Sequence, residues 1–571
     1  MRRSLSLAAV ALSAAALVAA CSTTESKSVI EPVNPTIDNS NPTTTLDPEA
    51  PVVSDAIEDI SITNPGTTPS YTIPSFTFPT LVPNSVPATA APITYIPQTT
   101  VRVSTTTTVA QLPPNGGNTS LHFEIGPFDI QPGQNTIDYV APIPQPKMNG
   151  WITSFKANLR FADGSVPGVD VIHLHHGVWL NMSGKDATAN LPERFFAAGE
   201  EKTTVKLPSP YGYRYHNTDV WTLNYMLHNL TPTGRKVWVT YDVDIIPDTS
   251  VAAKFVIPAR PIWMDVQNGS VYPVFDVLRG AGDGVTYTYP DQASNPYSGA
   301  PKNQWTVDRD GVLVATAGHL HPGGLHTDLN LQRGGNTAHL FRSEAQYFEP
   351  AGAVSWDVAM TATLPDWHVA VKKGDVLSTS ATYDSGLASW YESMGIMVVW
   401  MGDPGGFADD PFVTPVDKPG MLTHGHLAEN NNHGGGVDPN YIDLTALPSE
   451  PAPGTINISS WLYEKGNMVG ATAVPTVKPG GTITFNNLDA PIGRGQWHTI
   501  TSCKAPCNQS TGIAYPLADG PVIFDSGQLG NAGPPTAGRT TWSIPTNLPA
   551  GTYTYFCRIH PMMRGAFRVE P

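Results

Sequence analysis

Residues 549–571 read PAGTYTYFCRIHPMMRGAFRVEP, and the spacing inside this stretch decides what the last part of the chain is built around. Cys557, His560 and Met563 follow one another at intervals of three in a single loop, which Pro561 stiffens. Upstream, GGTITFNNLDAPIGRGQWHTITS over 480–502 places another imidazole, His498, just past a strand-like run. A thiolate, two imidazoles and a thioether form a donor set for a soft, redox-active transition metal.

Four donors in this order resemble the cupredoxins, most closely the amicyanin and plastocyanin type, over residues 454–571. The resemblance implies a Greek-key β-sandwich holding one mononuclear type 1 (blue) copper through His498, Cys557, His560 and Met563, and an electron-transfer role. The Cys-x2-His-x2-Met spacing of the family it resembles implies Met563, over its neighbour Met562, as the weak axial ligand. In a multicopper oxidase, histidines flank the blue-copper cysteine and relay electrons to a trinuclear cluster. Here Phe556 and Arg558 flank Cys557, which argues against that relay.

Working outward, the chain has 571 residues, enough for several cores. Charged residues make up only 14% of it, against about 25% in an average domain, while Pro 55 and Gly 51 are abundant. That composition suits turn-rich β architecture plus a linker. The net charge of -16 argues against nucleic acid as a partner. Arg2 and Arg3 precede a small-residue apolar run from Leu5 to Ala20, and Val18-Ala19-Ala20-Cys21-Ser22 follows. The run is shorter than the roughly 20 residues a membrane span needs, so it reads as an export signal over 1–20. The pattern around Cys21 resembles the lipobox of bacterial lipoproteins. This implies cleavage before Cys21, a lipid on its sulfur, and an extracytoplasmic protein attached to the cell envelope by that lipid alone.

Residues 21–118 are dominated by Pro, Thr and Ser, as in NPTTTLDPEAP, and cannot bury enough apolar area to offset chain entropy. They read as an extended tether. Beyond Cys21 and Cys557, the remaining cysteines of the four are Cys503 and Cys507. In an oxidising compartment they read as a disulfide closing a small loop. The alternative, a binuclear copper loop, wants His and Met just downstream, where Asn508-Gln509-Ser510-Thr511-Gly512 supplies neither.

From about residue 119 to 402, strand-like runs recur between Gly, Pro, Asn and Asp clusters: GWITSFKANLRF, DVIHLHHGVWL, KVWVTYDVDII, GVLVATAGHLH, GAVSWDVAMTATL and GIMVVWM. The reading is all-β, with two tandem jelly-roll-like β-sandwich subdomains over 119–262 and 263–402. A Gly, Pro and His-rich linker over 403–453 leads to the cupredoxin-type sandwich. Histidine totals only 16, yet His173, His175, His176, His228, His319, His321 and His326 cluster in the middle region. On a strand, residues i and i+2 share a face, so His319 and His321 can grip one metal together, and a thioether partner such as Met394 points to copper.

The order and spacing of these residues resemble the copper type II, ascorbate-dependent monooxygenases, the family of peptidylglycine hydroxylating monooxygenase and dopamine β-hydroxylase. The resemblance implies up to two further coppers. His175, His176 and His228 would hold the electron-accepting one, and His319, His321 and Met394 the catalytic one that binds dioxygen. His173 shares a face with His175 and is the alternative to His176; His326 reads as a surface or supporting residue. Where the peptide-hydroxylating members hold a substrate carboxylate with Arg, Asn and Tyr, this chain has Ala317, Ile396 and Val398, which argues against peptide amidation. The family's disulfides are missing as well, since no cysteine lies between Cys21 and Cys503. In the linker, His424, His426 and His433 form a loop group able to bind or relay copper. The expected function is a copper redox lipoprotein whose blue-copper domain serves a monooxygenase-like region. The expected partner is a redox protein or a small-molecule reductant. The alternative is a non-enzymatic electron-transfer or copper-binding surface protein.

Overall fold

The computed structural model describes residues 117–571 apart from 268–272, 291–301, 428–429, 431–434, 491–496, 511–514, 519 and 531–538. The signal segment, Cys21, almost all of the tether and His433 lie outside the described residues. What is described is all-β. Among the described elements, the helical ones are the four-residue turn Tyr515–Ala518 and the short 3-10 turns Val251–Phe255 and Leu444–Ala446.

Alternation makes the layers. In the strand Arg235–Pro247, the side chains of Val237, Val239, Tyr241, Val243 and Ile245 are wholly buried while Lys236 and Asp242 face water, the period of two expected of a half-buried strand. This strand pairs with Thr119–Ile130 on one side and Gly150–Arg160 on the other. Facing them is a four-stranded sheet in the order Asn135–Val140, Trp221–Asn229, Ile172–Lys185, Pro192–Ala198. Phe155 from the first sheet meets Trp179, Phe195, Phe196 and Trp221 from the second at ring-centroid distances of 4.2–6.0 Å, forming an aromatic core.

The strand Ile257–Asp265 continues the larger sheet. It pairs in parallel with Tyr211–Tyr215 and antiparallel with Gly395–Gly402. A single sheet thus serves both sandwiches, and the expected division at 262/263 falls within this strand. The second sandwich closes against a sheet containing Val376–Asp384, Gly324–Arg333 and Asn336–Tyr347. Its core includes Ile262, Leu313, Leu329, Phe341, Leu377 and Met397. Of the run GAVSWDVAMTATL, only Val358–Ala362 forms a strand. Gly352, at φ 89°, turns the chain, and the loop that follows carries Trp356.

Arg194 ties the two sandwiches together. It donates to Asp186 through Nε (2.7 Å) and Nη2 (3.0 Å), lies 3.8 Å from Asp265, and rests over the Trp263 ring at 4.5 Å. The C-terminal sandwich has two sheets, one including Gly551–Phe556, Arg564–Val569 and Thr501–Cys503, the other including Thr455–Ser459 and Thr484–Asn487. Cys503 and Cys507 form a disulfide. One buried cluster runs from Val266, Tyr383 and Trp390 of the second sandwich into Met468, Phe556 and Ala566 of the last domain, so these two share a core.

Candidate metal centre

The strand Gly551–Phe556 ends one residue before Cys557, and Arg564–Val569 begins one residue after Met563, so the loop between two paired strands carries three of the expected donors. The loop is closed by the Cys557 N–H on the Met563 carbonyl (3.0 Å) and the Met563 N–H on the His560 carbonyl (2.8 Å). His498 enters from across the sandwich. His498 Nδ1 and His560 Nδ1 are 3.1 Å apart, and the Cys557 sulfur lies 3.8 Å and 3.6 Å from them. All four side chains, Met563 included, are buried. Among the described residues, this is the one set of three or more His, Cys, Asp or Glu groups whose ligand atoms fall within 4.8 Å of one another.

Partners behind the ring nitrogens set their roles. His498 Nε2 is held by Asp489 (3.0 Å) and His560 Nε2 by the Gly133 carbonyl (2.8 Å). With a proton committed to each acceptor, both imidazoles turn Nδ1 toward the sulfur, the support metal-ligating histidines need. Burial alone would raise the Cys557 thiol. The His498 ring and the N–H groups of Thr499 and His560, each 3.4 Å from the sulfur, outweigh it and hold the thiol below its ordinary range. Burial would lower His498, but Asp489 and Cys557 together raise it to about 9. A metal ion arriving here would displace that proton and meet a thiolate.

Seven rings form a continuous row from this site into the middle region. Centroid distances run 4.9 Å from His498 to His560, 6.4 Å to His228, 4.9 Å to His173, 6.1 Å to His175, 4.4 Å to His321 and 5.2 Å to His319. Trp356 packs against His173, His175 and His321 at 4.5–5.0 Å. The same pinning recurs along the row. His173 Nδ1 donates to the Val169 carbonyl (3.2 Å), His228 Nε2 to the Ile559 carbonyl (2.7 Å) and His319 Nδ1 to Glu201 (3.0 Å). The opposite atoms, His173 Nε2, His228 Nδ1 and His319 Nε2, are buried without a hydrogen-bond partner, as are His175 Nδ1 and His321 Nε2. Burial holds His173, His175 and His321 well below the usual imidazole range, His176 at about 4 and His228 at about 3. These are neutral rings with lone pairs facing inward, which fits the donor requirements of a bound metal.

The solved structures similar to this chain are cupredoxins. A mutant of amicyanin in its reduced Cu(I) form at pH 4 is 22% identical over 23% of this chain and 91% of its own, with a TM-score of 0.13. Another amicyanin mutant in its Cu(I) form matches at 22% identity over 23% of this chain and 94% of its own, TM-score 0.13. A purple cupredoxin from Nitrosopumilus maritimus is 19% identical over 21% of this chain and 100% of its own, again at 0.13. No family model and no curated protein matches.

The structure redistributes the middle-region histidines. His175, His176 and His228 are not gathered into one set. His173 is the residue directly opposite His228 in the strand pairing, and its ring stacks with His175. Alternation sends His176 to the other face, where Nε2 lies 3.3 Å from Asn224 Oδ1. There His176, His319 and Met394 border a cavity of about 410 Å³, together with Ala317, Ile396 and Val398. His321 instead faces a smaller cavity shared with His175, His228 and Trp356. The Tyr383 hydroxyl joins these pieces. It accepts from the His321 and Met394 N–H groups and donates to the Met394 carbonyl.

His326 pairs with Asp328 at 3.0 Å, while His424 and His426 pack on Phe348. Glu201, Trp356, Tyr383, Asp489 and Gly133 were not anticipated; each reaches the site from a distant segment and carries no local sequence signal.

Proposed function

We propose that this chain is a copper-binding redox protein. His498, Cys557 and His560, with Met563 as the weak axial donor, hold a type 1 copper in the C-terminal domain. The observation that carries this is the convergence of two pinned imidazoles, one from across the sandwich, and a thiolate-prone cysteine within 3.1–3.8 Å at a buried site. Copper bound there supplies a one-electron couple. The protein's part is to keep the donors fixed and dry, so that little rearranges between oxidation states.

The middle region would hold up to two further coppers on its histidines and, as in the monooxygenases it resembles, use them to hydroxylate a substrate. His319, backed by Glu201, and Met394 border the cavity of about 410 Å³. Since Ala317, Ile396 and Val398 line that cavity together with Val178, Leu180 and Trp263, the substrate read from it is largely apolar. Cys21 would attach the protein by lipid outside the cytoplasm.

A second reading, a non-enzymatic electron carrier with an inactive middle region, is favoured by one observation: among the described residues, no second histidine trio is closed to within 4.8 Å. Copper content separates the two. The enzyme reading expects about three coppers per chain, falling to about two in His319→Ala; one copper in both proteins would leave only the carrier.

A further inference from the structure

We propose that the C-terminal copper site exchanges its electron with the histidine cluster of the same chain, through Ile559 and His228, and not with an external protein at the His560 edge. This rests on the copper reading above and names the partner of that site.

Two contacts carry it. His560 projects its Nε2 edge out of the C-terminal domain, and the carbonyl of Gly133 in the first sandwich caps that edge at 2.8 Å. His560, His498, Cys557 and Met563 are all buried, so a partner from solution has no ligand edge to touch. Next to this plug, the backbone carbonyl of Ile559, two residues from Cys557, accepts the Nε2 proton of His228 at 2.7 Å. The other nitrogen of His228 is buried, unpartnered and beside His173, whose Nε2 is likewise unpartnered. His228 therefore touches the cysteine loop with one nitrogen and offers the cluster a ligand with the other.

The docking is reinforced beside this contact. Arg558, where a trinuclear relay would place a histidine, donates to the Ser389 carbonyl, pairs with Asp525 at 3.1 Å and lies 4.9 Å over Trp390. Arg279 of the second sandwich donates to the Val522 carbonyl. Gly133 is matched to the interface. It adopts φ 64°, and a Cβ there would stand 2.9 Å from both His560 Cδ2 and Trp461 Nε1.

With copper bound at both places, one electron would leave the reduced thiolate site, oxidising it, and would reduce a cupric ion held by the cluster. No covalent bond changes, and His228 keeps its Nε2 proton on Ile559.

The test uses the full copper-loaded chain under anaerobic conditions. A one-electron pulse bleaches the blue band, and its return without added oxidant reports passage of the electron to the cluster. The blue band itself shows whether the C-terminal site has formed. If it never appears, the copper reading fails, and this inference with it. Given a blue band, His228→Phe removes both the contact to Ile559 and a cluster ligand and should slow the return by at least about 10-fold, the lower end of the loss of metal affinity or activity when only a ligand's support is removed. Gly133→Val, which keeps every histidine and wedges the interface, should slow it similarly. No return in the wild type, or a return unchanged by His228→Phe, overturns the proposal.

Discussion

Replacing Cys557 by Ser is expected to abolish the blue absorption of the copper-loaded chain while the β-structure persists. The band of a type 1 site comes from charge transfer between sulfur and copper, so an oxygen of nearly the same shape removes the chromophore outright. The pocket tolerates the change. The hydroxyl inherits the N–H donors of Thr499 and His560 that now point at the sulfur, and the loop remains closed by the Cys557–Met563 and Met563–His560 backbone bonds. Visible absorption and circular dichroism of the full chain check both halves. An undiminished blue band would remove Cys557 from the site.

The largest expected effect on stability is at the junction of the two sandwiches. Arg194→Met keeps the side chain's bulk but leaves Asp186 and Asp265 as buried charges without their cation, a change that costs about 3–5 kcal/mol when one partner of a buried pair is removed. Denaturant unfolding at neutral pH measures it. The pH dependence has a defined sign. Burial already raises the Asp265 carboxyl to about 6, with Arg194 opposing that rise. A carboxyl whose folded value lies above its unfolded one contributes most below the unfolded value, and that contribution is lost as pH rises through the folded one. Without Arg194 the folded value climbs further, so the deficit of the variant should be largest at neutral pH and shrink toward pH 4. A deficit independent of pH would place the loss in packing over Trp263 instead.

The C-terminal donors were legible because Cys557, His560 and Met563 share one loop, and a turn between two strands keeps residues three apart close together. Their supports were not. Asp489 and Gly133 reach the histidines through tertiary contacts that no spacing encodes. The β reading also followed from local pattern, since the apolar residues Val237, Val239, Tyr241, Val243 and Ile245 at every second position declare their own buried face. The middle histidines mark where local pattern stops. Alternation placed His173 with His175, but the resemblance to a His-His pair favoured His176. The choice depended on which residue faces His228 across the strand pair, and register is set by a segment about fifty residues away. Trp356 falls inside the strand-like run GAVSWDVAMTATL, whereas the turn at Gly352 makes the first half of that run a loop over the rings.

The most direct test of the account is an electron paramagnetic resonance spectrum of the full chain loaded with Cu(II). The account predicts the narrow parallel hyperfine splitting of a type 1 thiolate site, lost in Cys557→Ser, alongside a normal copper signal from the histidine cluster. A spectrum holding normal copper alone, unchanged by Cys557→Ser, would contradict it.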